Sequence, residues 1–132
     1  MKRIIAVALL AVVAGIAVSN VAVKAVEKKE NTKVLRHIVM FKFSDSAPKE
    51  DVQKIVDAFI ALEGKIDVIA DFEWGTNVSK EGLDKGLTHG FNLTFKTQED
   101  LDAYIVHPDH KAFVAMLGDK IADVCVFDYW AE

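Results

Sequence analysis

Residues 88–110 read THGFNLTFKTQEDLDAYIVHPDH, a stretch whose apolar residues change from alternating to helical spacing. The alternation at its start predicts a strand, and Thr97 followed by Asp100 is typical of a capped helix start. Pro108 disfavours helical geometry at His107, so the helix should break there and restart. The stretch therefore predicts a strand, a helix, a break and a second helix.

Three polar side chains of this stretch fall on the predicted apolar faces. His89 has the same strand parity as Phe91, because side chains alternate between the two faces of a strand. Tyr104 follows Leu101 by three residues, and His110 opens a run of apolar residues at helical spacing. Buried polar groups need hydrogen-bond partners, so these positions predict a polar cluster or a small-molecule pocket.

Three further strands and one helix complete the predicted fold. They are a strand over Leu35–Phe43, a helix with Pro48 in its first turn and a cap at Gly64, a strand over Ile66–Asn77 and a strand over Ala122–Trp130. With a third strand over Thr88–Lys96, the order βαββαβ predicts a ferredoxin-like α+β fold. Four antiparallel strands then carry helices on one face.

The first strand is apolar in its middle on both faces. His37 shares a face with Val39, while Ile38 and Met40 point the other way. Helices on one side of a sheet cover only one face. The second face therefore predicts a homodimer, with Ile38 and Met40 in or beside the interface. Residues 75–86, rich in glycine and polar residues, form either a solvated hairpin loop or a lid over a binding site.

The first 25 residues have the order of a secretory signal peptide. Lys2 and Arg3 precede the apolar run Ile4–Val18, and a small-x-Ala pattern ends at Ala25. The alternative is an uncleaved anchor, because the weakly polar run to Val23 is almost long enough to span a bilayer.

Cleavage after Ala25 would leave a flexible leader over 26–34 and one domain over 35–132, in the periplasm or secreted. It would remove three of the 16 basic residues, leaving 13 against 20 acidic residues and a net charge of −7. This charge argues against nucleic acid and against a stable membrane association after cleavage. The single Cys125 cannot form an internal disulfide.

Several stretches together resemble the stress-responsive dimeric A/B barrel family. They are His37–Phe43, Gly75–Ser79, Gly86–Phe91, Tyr104–His110 and Phe127–Tyr129. The resemblance runs from Arg36 to Tyr129, and its most specific part is the His-Pro-x-His motif that follows a tyrosine. It implies a homodimer whose two sheets close into a shared barrel, with the helices outside.

Most members of that family have no assigned reaction, but one plant member closes a linear polyketide by an aldol reaction. Its polar pocket residues match His37, His89, Tyr104 and His110 in kind and in order, which implies that these four bind a ligand. If the site is catalytic, His110 is the general base and Tyr104 donates a hydrogen bond to a developing oxyanion. The alternative is a structural polar network, so enzyme activity stays open.

Metal binding is a third class of function for the histidines. Imidazoles such as those of His107 and His110 can bind zinc, nickel or copper. The break at Pro108 should turn these two apart, and the sequence has no cysteine or carboxylate cluster. The sequence therefore favours a pocket for a small apolar ligand, with neither a metal nor an organic cofactor.

The signal peptide predicts a mature N-terminus at or near Val26, outside the cytoplasm. N-terminal sequencing of the protein purified from its native host measures this directly. Recovery of an intact Met1 on soluble cytoplasmic protein would contradict the prediction.

Overall fold

The computed structural model describes residues 33–132. The predicted signal peptide lies outside the described residues, as does the predicted leader except for Lys33 and Val34. The strands are β1 (Leu35–Phe43), β2 (Asp71–Thr76), β3 (His89–Phe95) and β4 (Ile121–Trp130), and the helices are α1 (Lys49–Ile60), α2 (Leu62–Lys65), α3 (Gln98–Val106) and α4 (Pro108–Leu117).

The four strands form one antiparallel sheet in the order β2-β3-β1-β4. The central strand β1 is apolar on both faces, as a strand between two neighbours usually is. The predicted ferredoxin-like α+β fold is confirmed. No helix within residues 33–132 is long and apolar enough to cross a membrane.

The core lies between the helices and one face of the sheet, and aromatic rings form its centre. Phe59 of α1 lies 4.5 Å from both Phe91 of β3 and Phe113 of α4, measured between ring centroids. All three side chains are buried. Since truncating a buried phenylalanine costs about 3–5 kcal/mol, these contacts fix the helices on the sheet.

The predicted helix break is confirmed at His107. Thr97 begins α3 by accepting a hydrogen bond from the Asp100 backbone N–H at 3.1 Å. His107 ends α3 with extended backbone angles and begins α4, its Nδ1 accepting from the Asp109 N–H at 3.1 Å. Pro108 then occupies the first position of α4, where a missing N–H is harmless.

The sequence prediction was wrong at the start of the second strand. Ile66 and Ile69 are both buried, a spacing of three that alternation along a strand does not produce. Their backbones form a turn, with the Ile69 N–H donating to the Ile66 carbonyl at 3.1 Å. β2 therefore begins only at Asp71.

The predicted cap at Gly64 was also wrong. Gly64 lies inside α2 and does not adopt a positive φ. Gly118, which follows the last residue of α4, does adopt one, with φ +48° and ψ −128°. A residue with a Cβ would be strained in the backbone conformation of Gly118. Gly118 is therefore the glycine that the backbone requires.

These two glycines should respond oppositely to alanine. Gly64→Ala should raise the free energy of unfolding by about 0.5–1 kcal/mol, because the helix gains propensity and the new Cβ meets nothing within 4 Å. Gly118→Ala should lower it by about 1–3 kcal/mol through backbone strain. Urea denaturation of both variants tests this, and a loss of stability in Gly64→Ala would contradict it.

Candidate active site

A cavity of about 270 Å³ opens between β1, β4 and the helical pair α3–α4. Three of the four predicted site residues line it, namely His37, Tyr104 and His110. The Tyr104 ring lies 4.3 Å from the His110 ring and 5.6 Å from the His37 ring, measured between centroids. The cavity walls are otherwise mainly apolar, with Val39 and Phe113 among them.

Local sequence explains why these three side chains meet. His37 has the strand parity of Val39 and faces the helices. Tyr104 lies one helical turn after Leu101 and is fully buried against the sheet. The break at His107 then redirects the chain, so that His110, in the first turn of α4, reaches the Tyr104 ring.

Asp128 belongs to the same site, although sequence reasoning missed it. Its Oδ1 lies 2.6 Å from His37 Nδ1, and the two residues are cross-strand partners in the β1–β4 pair. The sequence places Asp128 on one face of β4, but it does not give the register that brings it beside His37. A carboxylate accepts, so His37 donates its Nδ1–H and keeps Nε2 for another partner.

His110 has its proton positions fixed in the same way. Its Nδ1 lies 3.0 Å from the Ile105 carbonyl oxygen, which only accepts, so Nδ1 is the donor. Burial lowers the pKa of His110, the hydrogen bond to Ile105 opposes that shift, and the nearby His37 and His107 add to it. The imidazole is therefore neutral at neutral pH, with Nε2 able to accept a proton.

The Tyr104 hydroxyl is a buried donor without a partner. Among the described residues no group accepts its hydrogen bond. Burial raises the pKa of Tyr104 well above its ordinary value, so the hydroxyl keeps its proton. Leaving such a group unpaired costs about 1–3 kcal/mol, and the oxygen of a bound molecule would satisfy it.

His89 does not join the other three, so the prediction that all four converge was wrong. Its ring packs against Phe43, with centroids 5.0 Å apart, and its Nδ1 lies 2.9 Å from Thr88 Oγ1. Strand parity gave the correct face but not the position along the strand. His89 pairs with Phe41, four residues along β1 from His37, a separation of about 13 Å.

The long connection between β2 and β3 is held by its own hydrogen bonds. Asn77 Nδ2 donates to Asp84 Oδ2 at 2.9 Å, and the Gly86 N–H donates to Asp84 Oδ1 at 2.7 Å. Most of its side chains are exposed, which is typical of a solvated hairpin loop. With β2 and β3 it borders a second groove, of about 560 Å³, which His89 lines.

Within residues 33–132, no group of three His, Cys, Asp or Glu side chains is arranged to hold a metal ion. His107 uses Nδ1 to cap α4 and does not line the cavity. No observation on this part of the chain therefore favours the metal alternative.

The lowered pKa of His110 predicts a pH dependence of stability. Between that pKa and 6.5 the unfolded chain binds more protons than the folded chain, so the free energy of unfolding falls as the pH is lowered through this window. The slope of the free energy of unfolding against pH should be smaller in His110→Gln than in wild type. It should not vanish, because burial also lowers the pKa of His89. Urea denaturation from about pH 5 to 7.5 measures the slope. Lys111→Gln is the control, and equal slopes in wild type and His110→Gln would contradict the prediction.

Comparison with known proteins gives a family and an enzyme relative. The family model described as "Stress responsive A/B Barrel Domain" matches residues 35–131. Stress-response A/B barrel domain-containing protein HS1 from Arabidopsis thaliana is 32% identical over 95 residues, covering 72% of this chain and 87% of that protein. Olivetolic acid cyclase from Cannabis sativa is 26% identical over 95 residues, covering 72% of this chain and 94% of the cyclase.

A solved structure agrees with this assignment. The protein, from Bacteroides fragilis, is described as dimeric, of unknown function and with a ferredoxin-like fold. It has a TM-score of 0.61 and 27% identity, and the match covers 74% of this chain and 96% of that one. Because the family model spans nearly all of the described residues, the chain belongs to the stress-responsive A/B barrel domain family.

Proposed function

We propose that this protein is an exported homodimer whose cavity binds a small, largely apolar molecule through an oxygen atom. The observation that carries the proposal is Tyr104, which lines the cavity and whose buried hydroxyl is a donor without a partner among residues 33–132. A ligand oxygen placed there would remove the cost of the unpaired group.

The shape and lining of the cavity support a ligand of that chemistry. Its volume of about 270 Å³ is just below the usual range for small-molecule sites, about 300–1,000 Å³. Val39, Phe113 and Val126 supply apolar wall, while His37 and His110 each keep a free Nε2 for a polar group of the ligand. This combination of apolar walls and few polar groups is typical of specific small-molecule sites.

Acid–base chemistry of the lyase or cyclase type is the alternative function. A neutral His110 Nε2 can remove a proton from a carbon next to a carbonyl group, and the Tyr104 hydroxyl can stabilise the enolate oxygen that forms. The similarity to olivetolic acid cyclase supports this alternative. An exported protein would not meet cytosolic acyl thioesters, so a simpler carbonyl compound is the expected substrate.

The homodimer rests on the face of the sheet opposite the helices. In the single chain this face leaves Phe127 60% and Tyr129 42% exposed. Ile38 and Met40 lie beside them on the same face, each only partly buried. The Bacteroides fragilis structure is described as dimeric, which supports self-association of this chain.

A matched pair of hydroxyl deletions tests the ligand proposal. Tyr104→Phe removes the buried hydroxyl, and Tyr129→Phe removes a partly exposed one from the opposite side of the sheet. Mass spectrometry of protein purified from its native host should find a small molecule released from wild type and from Tyr129→Phe. Tyr104→Phe should release at least about tenfold less of it, because one specific hydrogen bond to the ligand is lost.

The stability of Tyr104→Phe separates the ligand proposal from a structural role. Because the hydroxyl has no partner within the described chain, its deletion should leave the free energy of unfolding of ligand-free protein unchanged or raise it. A loss of about 1–3 kcal/mol, with small-molecule content equal to wild type, would show a structural network and contradict the proposal.

A further inference from the structure

We infer that His107 is a positioning residue of the candidate site, and that it acts only while its imidazole is neutral. Its side chain caps α4, the helix that carries His110, and the cap holds His110 in place beside Tyr104. Protonation of His107 removes the cap, so acidification weakens binding in the cavity. The inference rests on the proposed ligand site and adds to it one residue outside the cavity and a pH dependence.

The corner between α3 and α4, residues 106–108, joins the two helices that carry site residues. Tyr104 lies in the last turn of α3 and His110 in the first turn of α4, with ring centroids 4.3 Å apart. His107 is the residue between the two helices, at the end of one and the start of the other. The backbone at His107 therefore sets the direction of α4 and the placement of His110 relative to Tyr104.

A hydrogen bond across this corner orients the His110 ring. His110 Nδ1 donates to the carbonyl oxygen of Ile105, in the last turn of α3, at 3.0 Å. The bond leaves Nε2 for the cavity, which both residues line. It requires the first turn of α4 to stay folded against the end of α3. Any change that frees this turn therefore also frees the His110 ring.

The side chain of His107 holds the first turn of α4. Its Nδ1 accepts a hydrogen bond from the Asp109 N–H at 3.1 Å, one of the donors that have no acceptor within the helix. The His107 backbone N–H donates to the Tyr104 carbonyl and its carbonyl accepts from the Lys111 N–H, bonds that any residue except proline could make. The bond from Asp109 is therefore what the imidazole adds at this position.

This cap works in one protonation state only. Nδ1 accepts a hydrogen bond only when it carries no hydrogen, which requires the neutral ring with its proton on Nε2. A protonated imidazole carries a hydrogen on both nitrogens, so its Nδ1–H would face the Asp109 N–H, donor against donor. Histidine is the side chain that ordinarily changes charge between about pH 5 and 8. Acidification in that range therefore turns the cap into a repulsive contact.

The Asp109 carboxylate gives the protonated ring an alternative partner. Among residues 33–132 it is the only carboxylate within 4 Å of the His107 ring nitrogens, with Oδ2 3.8 Å from Nδ1. This distance is too long for a hydrogen bond, but the carboxylate attracts a charged ring away from the Asp109 N–H. His110 is the other titratable neighbour, since burial lowers its pKa and the nearby His107 adds to that shift. A charge on His107 therefore opposes a charge on His110, and substitution of His107 separates the two effects.

Two neutral substitutions separate the cap from the rest of the ring. Asparagine carries its side-chain oxygen at the position of Nδ1 and is a favoured cap residue, so His107→Asn keeps the acceptor at every pH. Glutamine carries its oxygen one bond further out, level with Nε2, so His107→Gln loses the cap at every pH. Neither side chain titrates, which makes the two variants a matched pair.

Amide hydrogen exchange of ligand-free protein measures the cap itself. After correction for the intrinsic exchange rate at each pH, protection of the Asp109 N–H in wild type should fall about tenfold from about pH 7.5 to about pH 5.5, the effect of losing a helix cap. In His107→Asn this protection should stay high at both pH values. In His107→Gln it should be low at both.

Binding of acetophenone, a neutral ketone, links the cap to the cavity. Its carbonyl oxygen can accept from the Tyr104 hydroxyl, and its charge does not change with pH, so any pH dependence of its Kd arises in the protein. In calorimetry, acidification should weaken binding at least about threefold more in wild type than in His107→Asn, because only wild type loses the cap. His107→Gln should bind acetophenone more weakly than wild type already at about pH 7.5.

The outcomes separate this inference from the proposal on which it rests. Equal protection of the Asp109 N–H in wild type at the two pH values, or wild-type protection in His107→Gln, would overturn the pH-sensitive cap. A pH-sensitive cap with equal changes of Kd in wild type and His107→Asn would overturn the positioning role. A wild type that neither binds acetophenone nor releases a copurifying small molecule would overturn the proposed function itself.

Discussion

The antiparallel pairing of β1 with β4 is the interaction on which the candidate site depends. It makes Asp128 the cross-strand partner of His37 and so fixes the proton of His37 on Nδ1. It also places Val126 beside Val39 as a wall of the cavity. Without this register the two histidines and the tyrosine would still face the helices, but His37 would lack the carboxylate that accepts its Nδ1–H.

The buried polar groups of the candidate site lower the stability of the fold. Tyr104 is fully buried and its hydroxyl has no partner within residues 33–132, a cost of about 1–3 kcal/mol that a phenylalanine would avoid. The same burial keeps His110 neutral and its Nε2 free, because desolvation disfavours the charged imidazole. Burial therefore lowers stability, but it also leaves a neutral imidazole, that of His110, beside the protonated hydroxyl of Tyr104. Such an arrangement is typical of sites that bind or transform a ligand.

Sequence periodicity predicted on which face of its strand or helix each side chain lies, but not which residue of the neighbouring strand lies beside it. Strand parity and helical spacing correctly predicted that His37, Tyr104 and His110 face one another. The same parity grouped His89 with them, and only the register of β3 against β1 separates it by four residues. Asp128 was missed for the same reason, since its neighbour in space, His37, is 91 residues away in sequence. Local pattern cannot supply register, because register is a property of two strands together.

The two faces of β4 connect the proposed dimer to the candidate site. Phe127 and Asp128 are adjacent, so Phe127 points to the helix-free face and Asp128 to the opposite face, where it contacts His37. Among the described residues β4 is an edge strand that pairs only with β1, and edge strands fray more readily than central ones. A second copy packed on Phe127 would restrain the backbone that carries Asp128. Assembly would then help to hold the carboxylate oxygen of Asp128 in place, 2.6 Å from His37 Nδ1.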